Sequence, residues 1–383
     1  MSENTFINFI ESYKSFTVVP DSSLDSLLSA GILLKNLSEH GWDVRVNLDP
    51  KILLDYRDEP TLLLNLQPIN AQKHLALSTT NTSSVTALVV TMLEKAIGGV
   101  NKWDKILTIL SGLYRNYYDF KAEGFKGVEN TIMKELSSQK ALTEILTLRL
   151  WGVKKKGLVT ALTRTLVPFI PGVTGNIESA SRVVKEVYGV DDPHSIKLKE
   201  ISSEEDIKKV SALIKKLTEI SQQHTKKDLQ LQLKLVGDFY VQVESRGMTL
   251  ELEAHEALGG LLVYESSCKD CPLDIIAVPL SVEVLPQVLA MYNSILDYLA
   301  VTLSAQIMEF LRGERDVFEC EDALQRPDII VDILLYHDIT PQDKAVRFTC
   351  NGEEITVLRE LLRIGVKPEE AYSKCTETQL CKV

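Results

Sequence analysis

At 383 residues the chain is long enough for two domains with separate cores, since single cores stop growing at roughly 250 to 300 residues. Its 45% apolar and 25% charged residues are ordinary for a globular protein and exclude a chain dominated by disorder. The net charge of -11 excludes a protein that coats nucleic acid through its overall field, while leaving room for a local basic groove.

No apolar run reaches the roughly 18 to 20 residues of a membrane span, and the N-terminus lacks the regions of a signal peptide, so an intracellular protein with no membrane partner is expected. Six cysteines in so long a chain do not suggest a disulfide framework. Cys268-Lys-Asp-Cys271 has a suggestive spacing, but zinc needs about four ligands and no second pair answers it. A hairpin turn with free thiols or a local disulfide is the simpler reading, with Cys375 and Cys381 as distant partners otherwise.

In chain order, a helix is predicted from about Glu3 to Lys14 and a buried strand from Thr17 to Pro20. The strand runs into Asp21, Ser22, Ser23 and Asp25. In open α/β sheets that position gathers ligands and metals, because loop side chains and free helix N–H groups converge there. The next helix carries Leu27, Ile32 and Leu37 on its apolar face and stops at Gly41. Trp42 to Leu48 and Thr61 to Leu66 read as the second and third strands. Near-continuous apolar strands joined by helices indicate an α/β fold, a mostly parallel sheet with helices on both faces. Lys73 to Thr80 holds a fourth strand, and Ser83 or Ser84 caps the helix after it. His74, alone ahead of that strand, is expected at the surface rather than as a ligand.

Further on, Pro168 and Pro171 fix an extended turn in which Gly172 and Gly175 permit positive φ or close backbone approach. Arg149, Lys154, Lys155 and Lys156, joined by Arg164, form the clearest basic cluster. They either track a nucleic-acid backbone or are a solvated helix start. Ser202 and Glu205 have capping-box spacing and open a connecting helix to about Gln222, with Ile207, Val210, Ile214 and Leu217 on one stripe. Alternation at Leu229, Leu231, Leu233 and Leu235 predicts a strand, as do Tyr240 to Val243, Leu250 to Leu252 and Ile275 to Val278. A long helix from about Leu285 to Arg312 stops at Gly313. Ile329 to Tyr336 and Val346 to Thr349 read as strands and Thr356 to Ile364 as a helix. The expected organisation is an α/β domain at 1–195, a connector at 196–228 and a smaller α/β domain at 229–383.

The stretch around Asp21 resembles the first motif of the DHH phosphoesterase superfamily, roughly His-x-Asp-x-Asp-Gly-x-x-Ser-Ala. Aligned on Ser29-Ala30, Asp25 sits at the second Asp, while Ser23 stands at the first, Asp21 at the His and Ser26 at the Gly. Asn65 ends the third strand where that family has its next metal-binding Asp, and the Asp-His-His triplet is missing after the fourth. In RecJ-like members a later helix ends in Gly-x-x-Gly-Asp; here Gly112 leads to Asn116 at the acid's place, with Asp119 three residues on. Leu158 to Asn176, with Pro168-Phe-Ile-Pro171-Gly172, is similar to archaeal RecJ-like proteins. The last third resembles the DHH-associated (DHHA1-like) domain weakly. Ile364-Gly365-Val366-Lys367 keeps one glycine of its Gly-Gly-Gly-His loop, and Gly259-Gly260 lies too early to be that loop.

The resemblance implies a catalytically degenerate member of the archaeal RecJ-like branch, related to the replication factor cell division control protein 45. It implies a DNA replication role without a cofactor: a cytoplasmic, nucleoid-associated scaffold that binds the GINS complex and through it the MCM helicase. Asp21, Ser23, Asp25, Asn65 and Asn116 are then vestigial metal positions, Asp25 being stabilised by a helix dipole. The alternative is a metal-dependent single-strand DNA exonuclease or phosphoesterase with Mn or Mg on Asp21, Asp25 and Asp119. Against it, two cations about 3.5 to 4 Å apart need several anionic ligands. A third reading is a single-stranded DNA binder using Lys154, Lys155, Lys156, Arg164 and the Phe169 loop.

Overall fold

The computed structural model describes residues 3–198, 200–245, 248–320 and 325–383. Four parallel strands form the central sheet: β1 (Ser15–Pro20), β2 (Asp43–Val46), β3 (Thr61–Leu64) and β4 (His74–Leu77), in the order β2-β1-β3-β4. Thr17 pairs with Thr61 and Thr61 with His74, so the carboxyl ends of β1, β3 and β4 lie level. In this order the switch point falls between β1 and β3, where the loops leave in opposite directions and open a crevice.

Successive strand residues face opposite sides of a sheet, so the burial of both Val18 and Val19 shows that both faces are covered. Val18, Leu62, Leu64 and Leu77 belong to the main core with the helices Leu24–Glu39, Val85–Ile97 and Lys102–Tyr114. Val19 and Leu63 face a second core built with Leu358, Leu361, Ala371 and Tyr372. The second face is therefore covered mainly by the C-terminal helices Leu358–Arg363 and Pro368–Lys374, joined from the first 195 residues by Leu53 of the single helical turn Ile52–Asp55.

The chain crosses the expected boundary near residue 229 a second time. Strand Leu142–Leu148 pairs antiparallel with Val236–Ser245, which pairs with Met248–Glu253. A further sheet orders Val317–Glu319, Arg347–Cys350, Glu353–Val357 and Leu380–Lys382, parallel in the first pair and antiparallel in the rest.

Several local expectations change. Leu231–Lys234 is one helical turn, because Gln230 at φ 51° breaks the extension that alternating leucines suggested. Ile275 to Val278 lies in helix Cys271–Ala277 and the short 3-10 turn after it, and Ile329 to Tyr336 lies in helix Asp328–Tyr336. Short apolar runs buried all round carry no readable period, which is why strand and helix were confused. The capping box is Ser203 with Asp206, one residue later than expected, and Ile207 is exposed.

All six cysteines pair: Cys268–Cys271 joins two helix ends rather than a hairpin, and Cys320–Cys350 and Cys375–Cys381 tie the last sheet. Helix Val284–Arg312 is long and apolar enough to cross a membrane, although polar residues interrupt its apolar run in sequence. Its stripe of Leu285, Val288, Tyr292, Leu296, Leu299, Leu303 and Ile307 is buried in this fold.

Gly31 marks the tightest crossing between the first and last parts of the chain. A Cβ there would sit 2.1 Å from the Ile276 carbonyl oxygen and 2.9 Å from Pro279, so the backbone itself must move. Gly31→Ala is expected to lower stability by about 1–3 kcal/mol in urea denaturation despite its better helix propensity.

Candidate functional site

Asp25, in the first turn of Leu24–Glu39, is fully buried, and its carboxylate is shared by five donors. Its Oδ1 accepts from the Thr86 amide at 3.0 Å and the Thr86 hydroxyl at 2.7 Å. Its Oδ2 accepts from the Val85 amide at 3.0 Å, Thr79 Oγ1 at 3.0 Å and Arg115 Nε at 3.1 Å. The dipole that stabilises Asp25 is thus that of a second helix, Val85–Ile97, as well as its own.

A helix N-terminus is a ready anion site while its N–H groups are free. In Val85–Ile97 they are taken from within. Glu129 accepts from the Ser84 amide at 2.7 Å, Asp25 takes Val85 and Thr86, and Ser84 Oγ takes Ala87 at 3.2 Å. No donor of that first turn is left for a phosphate.

Arg115 is the cation that meets the Asp25 carboxylate. It reaches Asp25 through Nε and Ser23 Oγ through Nη2 at 3.3 Å, and Ser23 in turn donates to Asp21 Oδ1 at 2.6 Å. Burial opposes the Arg115 charge, but Asp25, Tyr114 and Asp21 outweigh it and raise its pKa above the ordinary arginine value. Burial pushes the Asp21 carboxyl up, with Arg115 and the serines acting against that.

Asn65, at φ 56°, donates to Ser26 Oγ at 2.9 Å and accepts from the Thr79 amide at 2.7 Å, a pairing that a carboxylate cannot make. Asn116 lies beyond its helix at φ 55°, its oxygen facing Arg149. Asp119 accepts from the amides of Lys121 and Ala122 in a local turn.

The structure therefore gathers Asp21, Ser23 and Asp25 around Arg115, links Asn65 to them through Ser26 and Thr79, and gives Asn116 and Asp119 other partners. Among the described residues, no group of three or more His, Cys, Asp or Glu is placed to hold a metal ion. The donor set does not fit Mn or Mg: a guanidinium already lies against Asp25, whose oxygens are filled by protein donors. His74, expected at the surface, is buried and its Nδ1 accepts from the Asn70 amide at 3.3 Å.

The crevice at the sheet's carboxyl edge is filled by the end of the chain. Gln379 donates to the carbonyls of Pro20 at 2.7 Å and Leu48 at 3.0 Å, and the Tyr372 hydroxyl donates to the Gln67 carbonyl at 2.7 Å. Ser22 donates to Asp328 at 2.6 Å. Asp328 also meets Arg326 at 3.1 Å, and Arg359 joins Asp332 and the Tyr114 hydroxyl. Of these residues the sequence singled out only Ser22; for Arg115 the one usable signal was a cation next to the expected acid at Asn116.

The basic cluster is dispersed. Lys154 pairs with Glu251 at 3.2 Å, Lys155 and Lys156 with Glu256 at 3.4 and 3.2 Å, and Arg164 with Asp297. Arg149 is buried, bonded to the carbonyls of Gly237 and Tyr118. Phe169 is fully buried and offers no face for a base to stack on.

These features define an α/β protein whose sheet-edge crevice is closed by its own C-terminal residues. The same fold is found in the crystal structure of CDC45 from Entamoeba histolytica, with a TM-score of 0.53 and 9% identity, over 92% of this chain and 84% of that one. No protein-family model matches the chain, and no curated protein matches it in sequence.

Breaking a buried ion pair leaves an uncompensated charge. Arg115→Met and Asp25→Asn are each expected to cost about 3–5 kcal/mol in urea denaturation, and the double variant less than their sum. A second prediction concerns Glu253, buried at the N-cap of helix Ala254–Ser267, with neither carboxyl oxygen bonded among the described residues. Burial, then Glu256 and Asp238, push it up to about 7 from an ordinary value of 4.5. Between those values the folded state keeps a proton that the unfolded chain has released, so this group's contribution to stability falls as pH rises through the window and is flat above it. Glu253→Gln is expected to remove that fall, on the order of 3 kcal/mol, when denaturation midpoints at pH 5 and pH 8 are compared.

Proposed function

We propose that the chain is a non-catalytic DNA replication factor of the CDC45 kind, a scaffold that binds GINS and through it supports the MCM helicase, acting in the cytoplasm at the nucleoid. The observation that carries the non-catalytic part is the closed Asp25 site. A permanent guanidinium and four neutral donors occupy the carboxylate that would hold a cation, and the adjacent helix N-terminus is capped internally. Two-metal hydrolysis needs anionic ligands with open coordination positions, and phosphate binding needs free N–H groups.

The likeness in fold to CDC45 over most of the chain supports the replication role. The filled crevice supports a protein used for its outer surfaces. Single-stranded DNA is a secondary partner at most in this reading, because Lys154, Lys155, Lys156 and Arg164 are paired with carboxylates and Phe169 is buried.

The expected outcome with 5'-labelled single-stranded DNA in Mn or Mg is no cleavage, by the native chain or by Asp25→Asn. In co-expression, GINS subunits are expected to co-purify with the native chain. Metal-dependent cleavage that disappears in Asp25→Asn while that variant still shows a cooperative urea transition would show a working nuclease instead.

A further inference from the structure

The C-terminal ends of the two longest helices, Glu204–His224 and Val284–Arg312, meet beside a cavity of about 820 Å³ that shares no residue with the Asp25 site. Its apolar lining is Phe310, Leu311, Ile339 and Pro341. Its rim carries Lys226, Lys227, Arg312 and Lys344, against Asp316 as the one carboxylate lining it among the described residues. In a chain of net charge -11 this is a local reversal of sign.

Part of that charge is used internally. Lys344 meets Asp316 at 3.0 Å and Arg312 meets Glu314 at 2.6 Å. Lys226 and Lys227 are exposed, and no ion pair among the described residues involves them. Their turn is held by Thr225, whose amide donates to the Ser221 carbonyl at 3.1 Å and whose hydroxyl accepts from the Lys227 amide at 3.2 Å.

We propose that this cavity is a docking site for an acidic segment of a partner protein that inserts an apolar side chain. The cationic rim complements its carboxylates and the apolar lining takes its anchor, an arrangement that gives specificity as well as affinity. A polypeptide rather than a nucleic acid fits because single-strand binding relies on free aromatic faces, whereas the Phe310 ring lining this cavity is packed against Phe318 at 5.2 Å between ring centroids.

The test is fluorescence anisotropy on the full chain with three labelled probes: a short Asp/Glu peptide around a central Leu-Phe pair, the same peptide with Ser for every acid, and oligo-dT. The acidic peptide is expected to bind, weakening about tenfold with Lys226→Glu/Lys227→Glu and also with Leu311→Ser, while the neutral peptide binds at least about tenfold more weakly. Both lysines are exposed, so the double variant is expected to keep the native urea midpoint. Equal binding of the two peptides, or an affinity unmoved by the lysine variant, overturns the proposal. Oligo-dT binding that the lysine variant abolishes, with no peptide binding, overturns it in favour of a nucleic-acid groove.

Discussion

The fold depends on one buried charge. Asp25 is a fully buried carboxyl group paired with Arg115, and such a group is tolerated only when donors surround it. Its donors come from the Thr79 turn, the first turn of Val85–Ile97 and the end of Lys102–Tyr114, so satisfying this carboxylate fixes three elements against the helix that carries it. Arg115 is the only charged donor of the five, and through Ser23 it reaches Asp21 as well. What can be read as the remains of a ligand cluster is, in energetic terms, the keystone of the first α/β layer.

The second constraint is that a parallel sheet must bury both faces. The first two hundred residues cover one and add Leu53, with its flanking residues, and Leu66 to the other. The other is covered mainly from the far end of the chain by Leu358, Leu361 and Tyr372, and the same segment sends Gln379 into the sheet's carboxyl edge. Beside it, Arg326 and Arg359 hold Asp328 and Asp332 in a buried network that also engages Ser22 and Tyr114. Covering the sheet and closing its crevice are one structural event, because both follow from the placement of the C-terminal segment.

Charge is distributed by the same logic. Lys154, Lys155, Lys156 and Arg164 look free in one dimension, yet Glu251, Glu256 and Asp297, all distant in the chain, meet them in space. Lys226 and Lys227, less conspicuous in sequence, remain open beside an apolar cavity.

The sequence by itself determined the parallel sheet, since β1, β3 and β4 are short apolar runs bounded by Pro, Asn and Thr, and it determined the long helix ending at Gly313, whose φ of 77° suits glycine. It allowed Gly172 and Gly175 either positive φ or a close backbone approach, and in the fold both take positive φ. It did not distinguish helix from strand at Ile275 or Ile329, because residues buried on every side leave no period to read. Only the tertiary structure decided the fate of the site. Asp25 meets Arg115, Ser22 meets Asp328 and Pro20 meets Gln379 across separations of 90, 306 and 359 residues, and no local pattern encodes which distant side chain will satisfy a buried charge or fill a crevice.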